Sequence, residues 1–318
     1  MTGNTRPNMN DIHEAQQRIA PHIHRTPVMT SASLDEISGA RLYFKCENFQ
    51  RTGSFKMRGA TNAVFSLSDE DAAKGVVTPS SGNHGAALAK AAHKRNIPAW
   101  VIMPKNSPMV KRNAVEAYGG QITLCEPTMR SRQETAAAVQ ARTGAILIHP
   151  YDNDRIIAGQ GTAAAELLEE MPDLDMIIAP VSGGGLLSGT AIASKGMKPQ
   201  IRVLGAEPKN ADDAYRSLQS GHIESNESAD TIADGLRAVL APRTFAILQR
   251  LADEISTVTE EEIVAAMRLL WERMKIIVEP SGAISAAPVL NRRVGAEGKR
   301  VGIILSGGNV DLGSLPFK

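Results

Sequence analysis

Cysteine is almost missing from this chain, with two residues, Cys46 and Cys125, in 318. Two thiols cannot build a disulfide framework, and neither has partners at metal-ligand spacing, so a stapled secreted scaffold and a cysteine-held zinc site are excluded. Each follows apolar, strand-like residues, which reads as a buried thiol. Net charge is just as scarce: 35 Lys and Arg against 34 Asp and Glu leave a formal +1. The basic residues form no run either, so nothing recommends nucleic acid or an anionic membrane as a partner. No apolar stretch approaches membrane-spanning length. The polar opening, Met1 to Asn10, lacks the apolar segment of a signal peptide. Together these absences predict a soluble chain in a reducing, cytoplasmic setting.

What remains is ordinary globular composition, 42% hydrophobic and 22% charged, in a length that suits one large domain or two ordinary ones. From Gly75 short apolar runs alternate with longer helical segments. The pattern predicts strands over Gly75–Thr78, Ala99–Met103, Gln121–Cys125 and Ala145–Ile148, with helices over Asn83–Asn96, Met109–Tyr118 and Ser131–Arg142 between them. That order gives a small parallel sheet with helices on its faces. Buried strands resume at Met176–Ala179, Ile201–Gly205 and Val301–Leu305. Thr259 and Glu262 form a capping box, and behind it Ile263, Val264, Met267, Leu270, Trp271 and Met274 recur at helical spacing as a core stripe. There is no repeat and no low-complexity linker. The expected fold is therefore α/β, two lobes around one cleft, each with a central, mostly parallel sheet. Residues 75–152 would make the small lobe, and 1–74 with 153–318 the large one.

Ligands of open α/β sheets bind beyond the carboxyl ends of strands, which singles out three small, polar, glycine-rich loops. They are Ser80-Ser-Gly-Asn-His-Gly85, Ser182-Gly-Gly-Gly-Leu-Leu-Ser188 and Ser306-Gly-Gly-Asn309. Gly183, Gly184 and Gly185 let bare amides approach an anion at a helix N-terminus, where the dipole also favours negative charge. The triplet matches neither a P-loop nor the GxGxxG fingerprint. Taken singly, each feature has a plain structural reading: a glycine turn, a helix cap, a hydrogen-bonded His84, a solvated Lys56.

Taken together they are specific. Gly53-Ser-Phe-Lys-Met-Arg-Gly59, the Ser-Gly-Asn-His loop, the triple glycine and the final Ser-Gly-Gly-Asn stand in the order and spacing of one family. From about His24 to Asp311 the sequence resembles the fold type II, tryptophan-synthase-β-like pyridoxal-phosphate enzymes. Within them it is most similar to the serine racemases and the serine, threonine and 3-hydroxyaspartate dehydratases. The resemblance implies pyridoxal 5'-phosphate held on Lys56 as a Schiff base, with Lys56 later moving the substrate's α-proton. It also implies Phe55 against the pyridine ring, Asn83 on the ring hydroxyl, and Gly183, Gly184, Gly185 and Leu186 around the phosphate. Ser306 would meet the ring nitrogen. A hydroxyl there need not protonate the ring, and the weaker electron sink suits elimination or racemisation better than transamination. Ser80, Ser81, Asn83 and His84 would take the substrate carboxylate. Glu207, Ala211 and Asp213 would hold magnesium, or calcium or manganese, since two carboxylates and a carbonyl suit a hard cation. Without the resemblance that segment would read as an acidic surface turn. A small amino-acid substrate and a homodimer complete the expectation.

The branch within the family turns on a few positions. Dedicated threonine dehydratases commonly have alanine where this chain has Ser81; racemase-type members have serine. A hydroxyl on the face opposite Lys56 can protonate the carbanion and invert the α-carbon. The short stretch after Asn309 is expected to leave no room for an amino-acid-sensing domain. Arg132 matches an arginine near the substrate in serine racemase, Arg130 is an extra cation on the same segment, and Ala238 replaces a substrate-facing serine. Losing a hydroxyl and gaining a guanidinium suits a second carboxylate, which arginine binds bidentately. The expected reaction is β-elimination of 3-hydroxyaspartate to a keto acid and ammonia, an ammonia-lyase of the EC 4.3.1 type. The alternatives are a serine racemase with L-serine and L-threonine dehydratase activity and, more remotely, a non-catalytic protein on the same scaffold. Retention of Lys56 and Ser306 argues against the last.

Overall fold

Runs that are apolar at every position, rather than every second one, need burial on both faces, and the chain uses them as central parallel strands. The computed structural model describes residues 7–80, 82–107 and 109–317. Its strands there are β1 (Val28–Met29), β2 (Arg41–Cys46), β3 (Val76–Pro79), β4 (Ala99–Pro104), β5 (Gln121–Cys125), β6 (Ile146–Leu147), β7 (Met176–Pro180), β8 (Arg202–Pro208), β9 (Glu254–Val258) and β10 (Arg300–Leu305). They form a six-stranded sheet in the order β1-β2-β10-β7-β8-β9 and a four-stranded sheet in the order β5-β4-β3-β6. Every pairing is parallel except β1 with β2.

The large sheet has an apolar layer on each face. Successive residues point to opposite sides of a strand, so Ile178 and Ile303 join Leu42, Phe44 and Met267 in one layer. Their neighbours Ile177 and Ile304 join Ile157, Leu187 and Val203 in the other. The stripe behind the capping box enters the first layer through Ile263, Met267, Leu270 and Met274, with Ala266 completing it. Val264 and Trp271 are only half-buried, and the Trp271 indole donates to the Val278 carbonyl at 2.9 Å. Both cysteines are buried free thiols. Among the described residues no helix is long and apolar enough to cross a membrane.

The strands and helices that the sequence pattern places lie within a few residues of those observed, with three instructive differences. β8 runs on to Pro208, so Glu207 is a strand residue. The helix expected from Ser131 spans Met129–Thr143, because Thr128 caps it by accepting the Ser131 amide at 3.1 Å. Strands β1, β2 and β9 escape the pattern: β1 is two residues long, and β2 and β9 carry charged or hydroxyl residues at inner positions.

Arg58, two residues beyond Lys56, is fully buried rather than solvated. Its guanidinium meets Glu47 at 2.7 and 2.8 Å and Glu166 twice at 2.8 Å. Lys45, also fully buried, meets Glu166 at 2.7 Å and donates to the Thr26 carbonyl at 2.7 Å. Removing one partner from such a network leaves an uncompensated buried charge, at a cost of about 3–5 kcal/mol. The network ties the helix Lys56–Phe65 to β2 and to the helix Asp154–Glu170. Where those helices cross, a Cβ on Gly159 would lie 2.6 Å from the Gly59 Cα, so the two backbones touch. Lys56 thus stands at the start of a rigidly held helix.

Candidate active site

The carboxyl ends of β3, β6, β7 and β10 open on one side, as the strand-end rule requires. Lys56 begins its helix there, and its amine donates to the Pro150 carbonyl at 3.1 Å. Burial alone pushes the amine down to about 8, since removing water penalises the ammonium form. A carbonyl is a dipole rather than a counter-ion, so it orients the amine without restoring a full charge partner. Phe55 lies beside it, with the ring centroid 5.1 Å from Nζ.

Backbone bonds fasten this corner to the last loop. The Phe55 amide donates to the Ser306 carbonyl at 2.9 Å, and the buried Ser306 hydroxyl donates to the Ser281 carbonyl at 3.1 Å. Asn83, first residue of the helix Asn83–Lys94, is fixed at both ends of its amide. Its Nδ2 donates to Glu279 Oε1 at 2.9 Å, and its Oδ1 accepts from Asn309 Nδ2 at 2.9 Å. Asn309 donates its backbone N–H to Glu279 Oε2 at 3.1 Å. Burial, then Asp234, pushes the Glu279 carboxyl up to about 8, against the pull of Asn83 and Lys111.

In the Ser80 loop the hydroxyl of Ser80 accepts the amides of Gly82 at 3.4 Å and Gly85 at 3.1 Å. The amides of Asn83 and His84, in the first turn of the following helix, have no intrahelical acceptor and can meet an anion. The His84 ring is buried, with Nε2 3.3 Å from the Ile148 carbonyl and Nδ1 without a partner. Burial and the nearby Lys56 push it down to about 3, so it is a neutral imidazole with its proton on Nε2. Ser81 lies outside the described residues.

The triple glycine wraps the start of the helix Gly185–Met197. Gly184 has φ +87°, a conformation that favours glycine. A Cβ on Gly183 would lie 2.5 Å from the Tyr151 ring, and one on Gly185 would lie 2.9 Å from the Tyr151 Cβ. Only bare backbone fits under that ring. Thr244 Oγ1 donates to the Gly183 carbonyl at 2.9 Å, and Leu186 is buried behind the turn. Ser182 exchanges hydrogen bonds with the Ala238 backbone at 3.1 and 2.9 Å, which holds the Ala238 loop against this turn. The cradle and the half-buried amine of Lys56 together fit a phosphorylated aldehyde.

Glu207 and Asp213 are both buried. Glu207 accepts the amides of Ala214 at 3.0 Å and Tyr215 at 2.7 Å, yet burial and the adjacent Asp213 raise its carboxyl well above the usual range. Asp213 accepts from Asn226 at 2.6 Å through Oδ1, while Oδ2 is buried without a partner, and burial pushes the group up to about 6. Two buried carboxylates with one bare oxygen, beside the buried Ala211, form an all-oxygen donor set of the kind a hard cation fits. Among the described residues no group of three or more His, Cys, Asp or Glu side chains assembles, so a third protein donor there would be a neutral oxygen, for which the Ala211 carbonyl is the candidate.

The two arginines part company. Residues two apart on a helix point about 200° apart, and Arg130 turns outward, 87% exposed and bound to Glu134 at 2.6 Å. It does not join the cluster expected for it. Arg132 is half-buried beside Cys125, and its Nε is buried without a partner. Four other residues belong to the site and were not anticipated: His149, Pro150, Tyr151 and Glu279. The first three follow β6, so the strand-end rule that flagged three loops would have flagged a fourth. Glu279 precedes a one-turn helix and gives no local signal.

Comparison with known proteins agrees with this geometry. The profile of the family described as "Pyridoxal-phosphate dependent enzyme" matches residues 19–307. The chain is 50% identical over 311 residues to a beta-hydroxyaspartate dehydratase of Paracoccus denitrificans (strain Pd 1222), covering 98% of this chain and 99% of that one. It is 53% identical over 309 residues to a serine racemase of Arabidopsis thaliana, covering 96% and 93%. The solved structure of maize serine racemase superposes with a TM-score of 0.95 at 50% identity, covering 96% of this chain and 95% of that one.

Proposed function

The chain belongs to the pyridoxal-phosphate-dependent enzymes, and from that premise we propose that it catalyses β-elimination of a small β-hydroxy amino acid, 3-hydroxyaspartate before serine, giving a keto acid and ammonia. The observation that carries the chemistry is Lys56: a half-buried amine shifted toward neutrality, held by a carbonyl, next to a glycine cradle for an anion. The substrate preference is supported by the dehydratase relative and by the buried Arg132 Nε, which has no hydrogen-bond partner.

Bound pyridoxal phosphate supplies an electron sink that draws negative charge from the α-carbon when its C–H bond breaks. Lys56 is the group that holds the cofactor and then takes the α-proton, a task that needs its neutral form. The amides of Gly183, Gly184, Gly185 and Leu186 hold the phosphate, aided by the helix dipole. Phe55 packs against the ring, Asn83 faces its hydroxyl with its amide oriented by Glu279 and Asn309, and Ser306 faces its nitrogen. Ser80, Ser81, Asn83 and His84 receive the α-carboxylate, His84 through its backbone amide because its ring is buried against Ile148. Arg132 takes the distal carboxylate. Glu207, Ala211 and Asp213 hold a divalent cation that offsets their buried charge. We infer two lobes, residues 75–152 and residues 1–74 with 153–318, and a cytoplasmic homodimer.

The test is direct. Purified enzyme is given each isomer of 3-hydroxyaspartate, serine and threonine, and keto acid and ammonia are measured. Faster turnover of serine than of every hydroxyaspartate isomer overturns the substrate assignment. The second reading, a racemase, is favoured by Ser81 and by the serine racemase relatives. Ser81→Ala should then suppress interconversion of enantiomers while elimination from the preferred enantiomer survives. Unchanged racemisation in that variant removes Ser81 from the reading.

A further inference from the structure

We propose that His149 is a positioning residue for both ends of the cofactor site. Its Nδ1 accepts the amides of Asp152 at 2.9 Å and Tyr151 at 3.4 Å. Those two bonds close the turn 149–152 just beyond β6. On that turn the Pro150 carbonyl stands 3.1 Å from Lys56 Nζ, and the Tyr151 ring covers the triple glycine. One side chain therefore sets the resting place of the reactive amine and the lid on the anion cradle at once.

The tautomer follows from the geometry. A ring nitrogen that accepts two amides carries no proton, so His149 is neutral with its hydrogen on Nε2. Burial, with the cations Lys56 and Arg243, also pushes the group down against the pull of Asp152. Protonation at Nδ1 would set donors against donors and open the turn. The imidazole is further braced by Tyr151, edge-on at 4.6 Å between centroids. Beyond the turn, Arg243 pairs with Asp152 at 3.4 Å and Asp154 at 3.2 Å, which anchors the far side. Pro150 has no N–H and a fixed φ, so the direction of its carbonyl depends on how the two following amides are held.

This inference rests on the assignment of Lys56 as the cofactor lysine. Asparagine at position 149 can accept the same amides as an Asx turn without an imidazole; alanine cannot. Three readouts are taken on the holoenzymes: kcat and KM, the half-time for cofactor loss on dialysis, and melting temperature. For His149→Ala we expect kcat to fall by about 10- to 100-fold, the usual result of misplacing a reacting group by an ångström. KM should change little and cofactor loss should quicken. His149→Asn should restore most of both. His149→Gln, with its acceptor one bond too far out, serves as the impaired variant if the alanine form does not fold. Equal impairment of the Asn and Ala forms would mean the imidazole itself acts, and wild-type behaviour of the Ala form would mean the turn does not need it; either overturns the proposal. Borohydride trapping of cofactor on Lys56 in the wild type is the control. Its failure would sink the Lys56 assignment, whereas success with no difference among variants would sink only the role of His149.

Discussion

Replacing Arg132 by alanine should cost far more on 3-hydroxyaspartate than on serine, whereas Arg130→Ala should treat the two alike. Arg130 is 87% exposed and engaged in an i,i+4 pair with Glu134, the kind of surface pair worth about 0.3–0.5 kcal/mol. Its loss is expected to change rates by no more than about twofold on either substrate. Arg132 is half-buried with a donor that has no protein partner. A charge-assisted hydrogen bond to a carboxylate there is worth about 1.5–3 kcal/mol. At about 1.4 kcal/mol per decade this is a loss of about 10- to 150-fold in kcat/KM. Serine has no second carboxylate and should be spared most of it. The assay is the initial rate of keto-acid release on both substrates, with melting temperature as the control for folding. Equal losses on both substrates, or a selective loss from Arg130→Ala instead, would refute the assignment.

Chelation should lower the melting temperature if Glu207, Ala211 and Asp213 hold a cation. An ion at a hundred times its Kd adds about 2.7 kcal/mol, which an unfolding entropy of about 2.1 cal/mol/K per residue converts to about 4 °C here. Magnesium or calcium should restore it, and Asp213→Asn should lose the response; an unchanged response in that variant contradicts the site. Glu279 gives a pH signature. Its folded carboxyl, pushed up to about 8 from the ordinary 4.5, holds its proton longer than the unfolded chain does. Its contribution to stability is therefore fully present below about 4.5 and lost as pH rises through about 8. Glu279→Gln should flatten the decline of melting temperature between those limits, and an identical slope would remove the effect.

Much of this site is legible in the sequence because its loops are glycine-rich breaks at the ends of apolar strands. Gly183 to Gly185 and Ser80 to Gly85 announce themselves that way, and the capping box at Thr259 fixes a helix start by local chemistry alone. What escapes is set by distant partners. Arg58 and Lys45 look like solvated charges until Glu47 and Glu166 arrive from other elements to bury them. Glu279 matters through Asn83, almost two hundred positions away in the chain. Arg130 and Arg132 look equivalent as neighbours in sequence, and only the helix that begins at Met129 sends them to opposite sides.

The central claim is that Lys56 carries the cofactor, and one measurement addresses it most directly. The yellow holoenzyme is reduced with borohydride, digested, and the cofactor adduct located by mass spectrometry. A single adduct on the peptide containing Ser54-Phe-Lys-Met57, with loss of absorbance and of keto-acid release in step, is the predicted result. Lys56→Ala should give neither adduct nor turnover while melting like the wild-type chain stripped of cofactor. An adduct on any other lysine, or turnover that survives in Lys56→Ala, would contradict the account.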